Sequence, residues 1–213
     1  MAAALPELPR SPARLGAVLL VAAAIGAIVA LLIGARPATP RDDSPEAGFA
    51  RDMATHHAQA VEMSFVVRDK SADDALRALA YDIIVTQSTQ RGVFMGWLQE
   101  WGLPQSSASP RMAWMPGHAP VAQGKGGMPL MHGMATDDEL RRLREAQGRD
   151  AEILFLQLMI RHHEGGVIMA QAVEGLSRRS EVAGMARSII NSQRVEIAEM
   201  TRMLAKRGIA AGG

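Results

Sequence analysis

Residues 46–63 read EAGFARDMATHHAQAVEM, and residues 152–169 read EILFLQLMIRHHEGGVIM. Laid one on the other, they agree at Glu46/Glu152, Phe49/Phe155, Met53/Met159, His56/His162, His57/His163, Val61/Val167 and Met63/Met169. The same shift of 106 runs without a gap from Glu46–Gly102 onto Glu152–Gly208, with 15 identities in 57 columns, among them Ser71/Ser177, Gln87/Gln193 and Gly102/Gly208. Self-similarity at a fixed offset marks a repeated supersecondary unit. Within each copy the apolar residues recur in steps of three and four, the period of a helix with one buried face. One helical pair cannot bury its stripe alone, but two can bury each other's. The expected fold is therefore all-α, a pseudo-twofold four-helix bundle of two helical hairpins.

Local signals set the boundaries. Ser44 is a candidate N-cap with Pro45 at the first helical position, where its missing N–H costs nothing. The first helix should fade near Asp69–Ala72, and the second should run from about Asp73 to Trp101 with Ser71 as its cap. Gly102 and Pro104 stop it. Residues 103–135 are rich in Pro, Gly, Ser and Met without a period, so they read as loop. Thr136-Asp-Asp-Glu139 is a capping box opening a short helix that ends by Gly148. Asp150 can cap the third long helix, to about Gly175, and the fourth spans about 178–207, closed by Gly208. The bundle domain is thus 44–208, with repeats at 46–102 and 152–208.

Ahead of it lie a tail (1–14), an apolar segment (15–35) and a linker (36–43) kept extended by Pro37 and Pro40. Leu15–Ala35 carries no charge and has the roughly 20 residues that cross a bilayer. Two readings of it stand: an uncleaved signal-anchor, or a signal peptide cut near Gly34–Ala35. Its length favours the anchor, since secretory apolar regions run about 7–15 residues. Lys and Arg flank it evenly, so orientation is weakly determined. Either reading exports the rest of the chain, to a membrane-attached or a secreted or periplasmic site.

Composition narrows the function. The chain has 213 residues, no cysteine, and 23 Lys+Arg against 22 Asp+Glu. Disulfides, zinc fingers, thiolate copper sites and iron–sulfur clusters are excluded. A net charge of +1 leaves no field to recruit nucleic acid. Aromatics at 4% argue against an all-β fold.

Fourteen methionines point elsewhere. Met53, His56 and Met63, with Met159, His162 and Met169, fall on the buried stripes. His57 and His163, rotated by roughly 100°, fall at their edges. Imidazole and thioether together suit copper, above all Cu(I), and by the same softness Ag(I). The loop adds Met112, Met115, His118, Met128, Met131, His132 and Met134, a set able to fold around a soft cation without an oxidisable thiol. The competing reading makes these methionines gap-filling core and clamp. Gln87 and Gln193 could orient the histidines by hydrogen bonds. Glu46 and Glu152 lie about 15 Å along the helix from the histidines and suit the positive helix N-terminus. A ferritin-class di-metal oxidase needs Glu-x-x-His on core helices, but Met53, Ala54, Met159 and Ile160 stand three residues before the histidines. No nucleophile elbow or paired acid suggests an enzyme.

The doubled pattern Phe-x3-Met-x2-His-His-x5-Met at 49–63 and 155–169, each followed by Gln87 or Gln193, resembles the family called domain of unknown function 305. The ending Gln193-x2-Glu196-Ile197-x2-Met200-x2-Met203-Leu204 resembles it too. The likeness covers about residues 43–208. It implies a ferritin-like helical bundle in bacterial, extracytoplasmic proteins, some of which bind copper or silver in metal tolerance. Two departures are Gln90-Arg91, where the pattern has Glu-Ile, and Glu46, where Asp is usual; neither is expected to touch the ligands. The expectation is an exported or membrane-anchored, non-enzymatic soft-metal binder that buffers or delivers copper, alone, as a homo-oligomer or with a metal-handling partner. The alternative is a metal-free, partner-binding bundle.

Overall fold

The computed structural model describes residues 12–34, 38–117, 122–123 and 129–209, with the side chains of all of these except 14, 29–34, 122, 123 and 129. The elements are α1 (Pro12–Gly34), α2 (Pro45–Lys70), α3 (Asp74–Glu100), β1 (Ala122–Gln123), β2 (Pro129–Leu130), α4 (Asp137–Glu145), α5 (Gly148–Leu176) and α6 (Ser180–Lys206). Two compact units divide after Thr39. In the first, α1 is a continuous helix. Among the described residues no helix is long and apolar enough to cross a membrane. The segment expected to do so is described with its side chains only from Leu15 to Ile28, short of the roughly 20 residues a bilayer needs, and Ala35 lies outside the described residues.

The second unit is a helical bundle. Helix α2 packs on α3, α5 on α6, and α2 on α5, so the first helices of the two repeats join the halves. Ser44 caps α2, its hydroxyl accepting from the Ala47 N–H at 3.3 Å. Asp73, not Ser71, caps α3, accepting from the Ala75 and Leu76 N–H groups. Thr136 and Glu139 form the reciprocal capping box of α4. Helix α5 starts at Gly148, ahead of Asp150, and Gln147 at its cap makes no side-chain bond. Gly102 and Gly208 take φ of 68° and 73°. That left-handed turn lets Leu103 and Ile209 return N–H bonds to Leu98 and Leu204, which ends each hairpin the same way. The loop, expected to lack secondary structure, contains one antiparallel pairing, Ala122 with Leu130 and Gln123 with Pro129.

Two apolar clusters form the core, and each draws on all four long helices. Phe49, Met53, Phe94, Leu98, Met169, Val173, Ala186 and Ile189 belong to one. Met63, Val67, Leu76, Ile83, Phe155, Met159, Met200 and Leu204 belong to the other. The repeats are also cross-latched. Glu46 accepts from the Ser177 hydroxyl at 2.8 Å, and Glu152 accepts from the Ser71 hydroxyl at 2.6 Å. Each hydroxyl in turn accepts the N–H two residues on, at Arg179 and Asp73. Both repeated glutamates thus staple one repeat to the interhelical turn of the other.

At one such turn Arg207 adds bonds to Glu152 at 2.9 and 2.8 Å and to Asp73 at 2.7 Å. The equivalent corner instead places the Arg179 guanidinium over the Trp101 ring at 5.6 Å. Hydrogen bonds to charged groups contribute about 1.5–3 kcal/mol, and Arg207 is only 9% exposed. Glu152→Ala is therefore expected to lower the unfolding free energy by about 2 kcal/mol and Glu46→Ala by about 1 kcal/mol. Urea denaturation with unchanged slope measures both, and equal losses would contradict the asymmetry.

Candidate metal centre

A polar layer separates the two apolar clusters. Each helix contributes two residues to it: His56 and His57 from α2, Gln87 and Gln90 from α3, His162 and His163 from α5, Gln193 and Glu196 from α6. The second four are the repeat equivalents of the first. All four histidines have zero exposure, and Gln87 and Gln193 have 2% each. His57 and His163, expected at the stripe's edge, are as deep as their neighbours.

The His56 and His162 rings stack at the pseudo-twofold axis, centroids 3.7 Å apart and planes at 33°. His57 and His163 flank them, 6.5 and 6.3 Å from their same-helix neighbours. Three rings are oriented through Nε2. His56 Nε2 donates to the His132 carbonyl at 3.0 Å. His57 Nε2 lies 2.8 Å from Gln90 Oε1, and His163 Nε2 lies 2.7 Å from Glu196 Oε2. These oxygens accept, so the protons sit on Nε2 and the lone pairs on Nδ1. The Nδ1 atoms of His56, His57 and His163, both nitrogens of His162 and both amide ends of Gln87 and Gln193 are buried without a hydrogen-bond partner in the chain. Each such group costs about 1–3 kcal/mol, against a total stability of about 5–15 kcal/mol for a domain. Buried polar groups of this kind are satisfied by ordered water or by a bound ligand.

Burial also keeps the rings of His56, His57 and His162 neutral. Loss of hydration pushes His56 down to about 4, against the partly offsetting bond to His132. It pushes His57 down to about 3, with His56 adding repulsion. His162 is held well below the usual histidine range by burial and then by His56. Neutral imidazole is the form that ligates metal.

A strap from the interhelical loop crosses this layer. Its backbone is clamped by Gln59, which donates to the Ala135 carbonyl at 2.9 Å and accepts the Ala135 N–H at 2.7 Å. It lies so close to α5 that a Cβ on Gly165 would come within 2.0 Å of the His132 oxygen. A Cβ on Gly166 would meet the Gln193 amide at 2.4 Å. Glycine in these two positions is what admits the strap and the amide.

The expected ligands divide between these environments. Met53 and Met169 fall in one apolar cluster, Met63 and Met159 in the other, all with zero exposure. Met53 and Met159 sit one turn before the stacked histidines. The described loop methionines turn inward: Met112, Met115 and Met131 are buried in the first cluster, and Met134 packs on it. Asp52 anchors that part of the loop, accepting from the Met112 N–H at 2.8 Å and from Trp114 Nε1 at 2.9 Å. Burial raises its carboxyl, opposed by those bonds. His132 contributes its carbonyl to the layer, while His118 and Met128 lie outside the described residues. Among the described residues no three of His, Asp and Glu converge on one ion position.

Two expectations about supporting residues change. Gln87 and Gln193 hydrogen-bond no histidine; Gln90 and Glu196, one turn further along, do. The departure at Gln90 was expected to touch no candidate ligand, and it bonds His57 directly. The sequence offers two such pairs of acceptors at equivalent places of the repeat, 87 with 193 and 90 with 196. Cross-helix register decides which of two successive turns faces the histidine, and that is not written in either helix alone.

The chain matches the model of Domain of unknown function (DUF305) over residues 46–204 and belongs to that family. Among solved structures, it is similar to a DUF305 protein from Streptomyces coelicolor, with 45% identity, 81% of this chain and 99% of that one covered, and a TM-score of 0.73. A DUF305 fragment from Deinococcus radiodurans gives 34% identity, 80% and 99% coverage and a TM-score of 0.63. CopM in its Cu(II)-bound form gives 28%, 76% and 97%, and a TM-score of 0.57. None of the curated proteins matches the chain.

The unfolded chain takes up histidine protons near pH 6.5, whereas the folded chain refuses them until about 4 at His56 and about 3 at His57. Each refusal removes about 1.4 kcal/mol per pH unit inside its window. Metal-free protein is therefore expected to lose thermal stability steadily from pH 6.5 down to 4, and His57→Gln to lose less. Calorimetry across that range checks both, and a flat profile would refute neutral burial. Gly165→Ala is expected to push the strap off α5, break the His56–His132 bond and expose amides 132–135 to hydrogen exchange at least tenfold faster. Unchanged exchange there would contradict the close approach.

Proposed function

We propose that the chain is an exported soft-metal binder that takes up Cu(I), and Ag(I) by the same chemistry, to buffer or hand on the ion. The observation that carries this reading is the set of buried, unpartnered imidazole nitrogens in the polar layer, on rings of which three are oriented through Nε2, flanked by buried thioethers. Neutral imidazole and thioether are soft donors. Among the described residues of the layer only Glu196 brings formal negative charge, which suits a monovalent cation better than a divalent one in so apolar a setting. CopM, similar in fold, has Cu(II)-bound and, at 25% identity, Ag-bound forms. The Streptomyces coelicolor relative is itself inferred to be secreted. We read residues 15–35 as the signal-anchor or signal peptide that exports the bundle, and the chain as acting by binding rather than by catalysis.

A metal-free, partner-binding bundle is the second reading. It draws on the loop methionines, which pack as core. The two readings separate in a Cu(I) competition titration of the full chain, reduced and anaerobic, against a chromophoric chelator. The His56/His57/His162/His163 quadruple alanine variant should remain helical by circular dichroism and lose tight Cu(I) binding. Unchanged tight affinity in that variant would sink the histidine layer as the site, whereas no competition by the wild-type chain would sink the metal reading and leave the partner-binding one.

A further inference from the structure

The two halves of the layer are equivalent by repeat, yet they differ in one respect that matters to a cation. His57 donates its Nε2–H to the neutral amide of Gln90 at 2.8 Å. His163 donates its Nε2–H to the carboxylate of Glu196 at 2.7 Å. Positions 90 and 196 are the same position of the repeat. We propose that this substitution makes the halves unequal, with Glu196 acting as a positioning and specificity residue that gives the His163 half first claim on a soft monovalent cation. The inference rests on the soft-metal reading above.

Two physical effects act in the same direction. A ring that donates to a carboxylate becomes more electron-rich at its far nitrogen, so the unpaired Nδ1 of His163 is a stronger donor than that of His57. A monovalent ion brought among fully buried rings also needs counter-charge, because an isolated charge in an apolar interior is costly. Glu196 supplies one negative charge from the rim, where its side chain is 16% exposed, and a neutral Gln90 supplies none. The carboxylate therefore keeps some hydration while its field reaches the layer. Partners of this kind typically alter metal affinity by about 10–100-fold.

The test follows histidine side-chain 1H–15N signals of the full chain, in mild detergent, as Ag(I) is added. Ag(I) is diamagnetic and does not change oxidation state during the titration. In the wild type, His163 should respond in the first fraction of an equivalent, before His57. Glu196→Gln should weaken the first binding event by about 10–100-fold and erase that order. Gln90→Glu should bring His57 into step with His163, a gain that a merely structural role for the position would not produce. Should Glu196→Gln fail to fold by circular dichroism, Gln90→Glu decides alone. Parallel response of His57 and His163 in the wild type, or a Gln90→Glu variant with the wild-type order, overturns the inequality while the metal reading stands. Absence of any histidine response to Ag(I) overturns the metal reading and this inference with it.

Discussion

Four imidazoles are held out of water in the middle of a helical bundle, and the architecture on either side is arranged around that fact. Apolar packing supplies the stabilisation: two clusters, each built from all four long helices, one above the layer and one below it. The clusters must be large because the layer between them opposes folding, with nine of its side-chain polar atoms lacking a partner in the chain. Repetition is what makes the arrangement compact. An antiparallel pair of like helices brings the same position of each repeat to the axis, so one His-His pair becomes a cluster of four.

The rest of the bundle keeps that register. A helix pair joined only by apolar side chains can slide, since such contacts are non-directional. The reciprocal bonds from Glu46 to Ser177 and from Glu152 to Ser71 tie each repeat to the turn of the other at both ends. Their directionality fixes the axial position at which His56 and His162 stack. The Arg207 bridge at one corner and the Arg179–Trp101 contact at the other show the same mechanical task done with different chemistry.

Much of this was legible in the chain itself. The 3–4 stripe and the 106-residue repeat specify two hairpins that must pair, and Ser44, Gly102 and Gly208 mark helix ends by backbone chemistry that acts locally. The residues that support the histidines were not legible, because Gln87 and Gln90 lie one turn apart on the same helix. Which of them meets His57 depends on how far α3 slides along α2, a distance set by the turn at Ser71–Asp73. The inward packing of the loop was hidden for another reason. Met112, Met115 and Met131 have no period to declare an inward face, and Met112 enters the core through a left-handed φ of 65° braced by Asp52. The identities of Glu46/Glu152 and Ser71/Ser177 were visible, but not that each glutamate reaches across to the serine of the opposite repeat.

The strap at 131–135 has an implication for how such a bundle can come about. It lies over the axis that relates the two hairpins, touching His56 on one side and Gly165 on the other. An object seated on a twofold axis must either share that symmetry or be present only once. Two identical hairpins associating as separate chains would each bring the same segment to the same place, and the two would collide. Joining the hairpins into one polypeptide removes the conflict, because the connection exists in a single copy. Fusion thus permits a cover over the shared histidines that a symmetric homodimer cannot have, and it frees positions 90 and 196 to diverge.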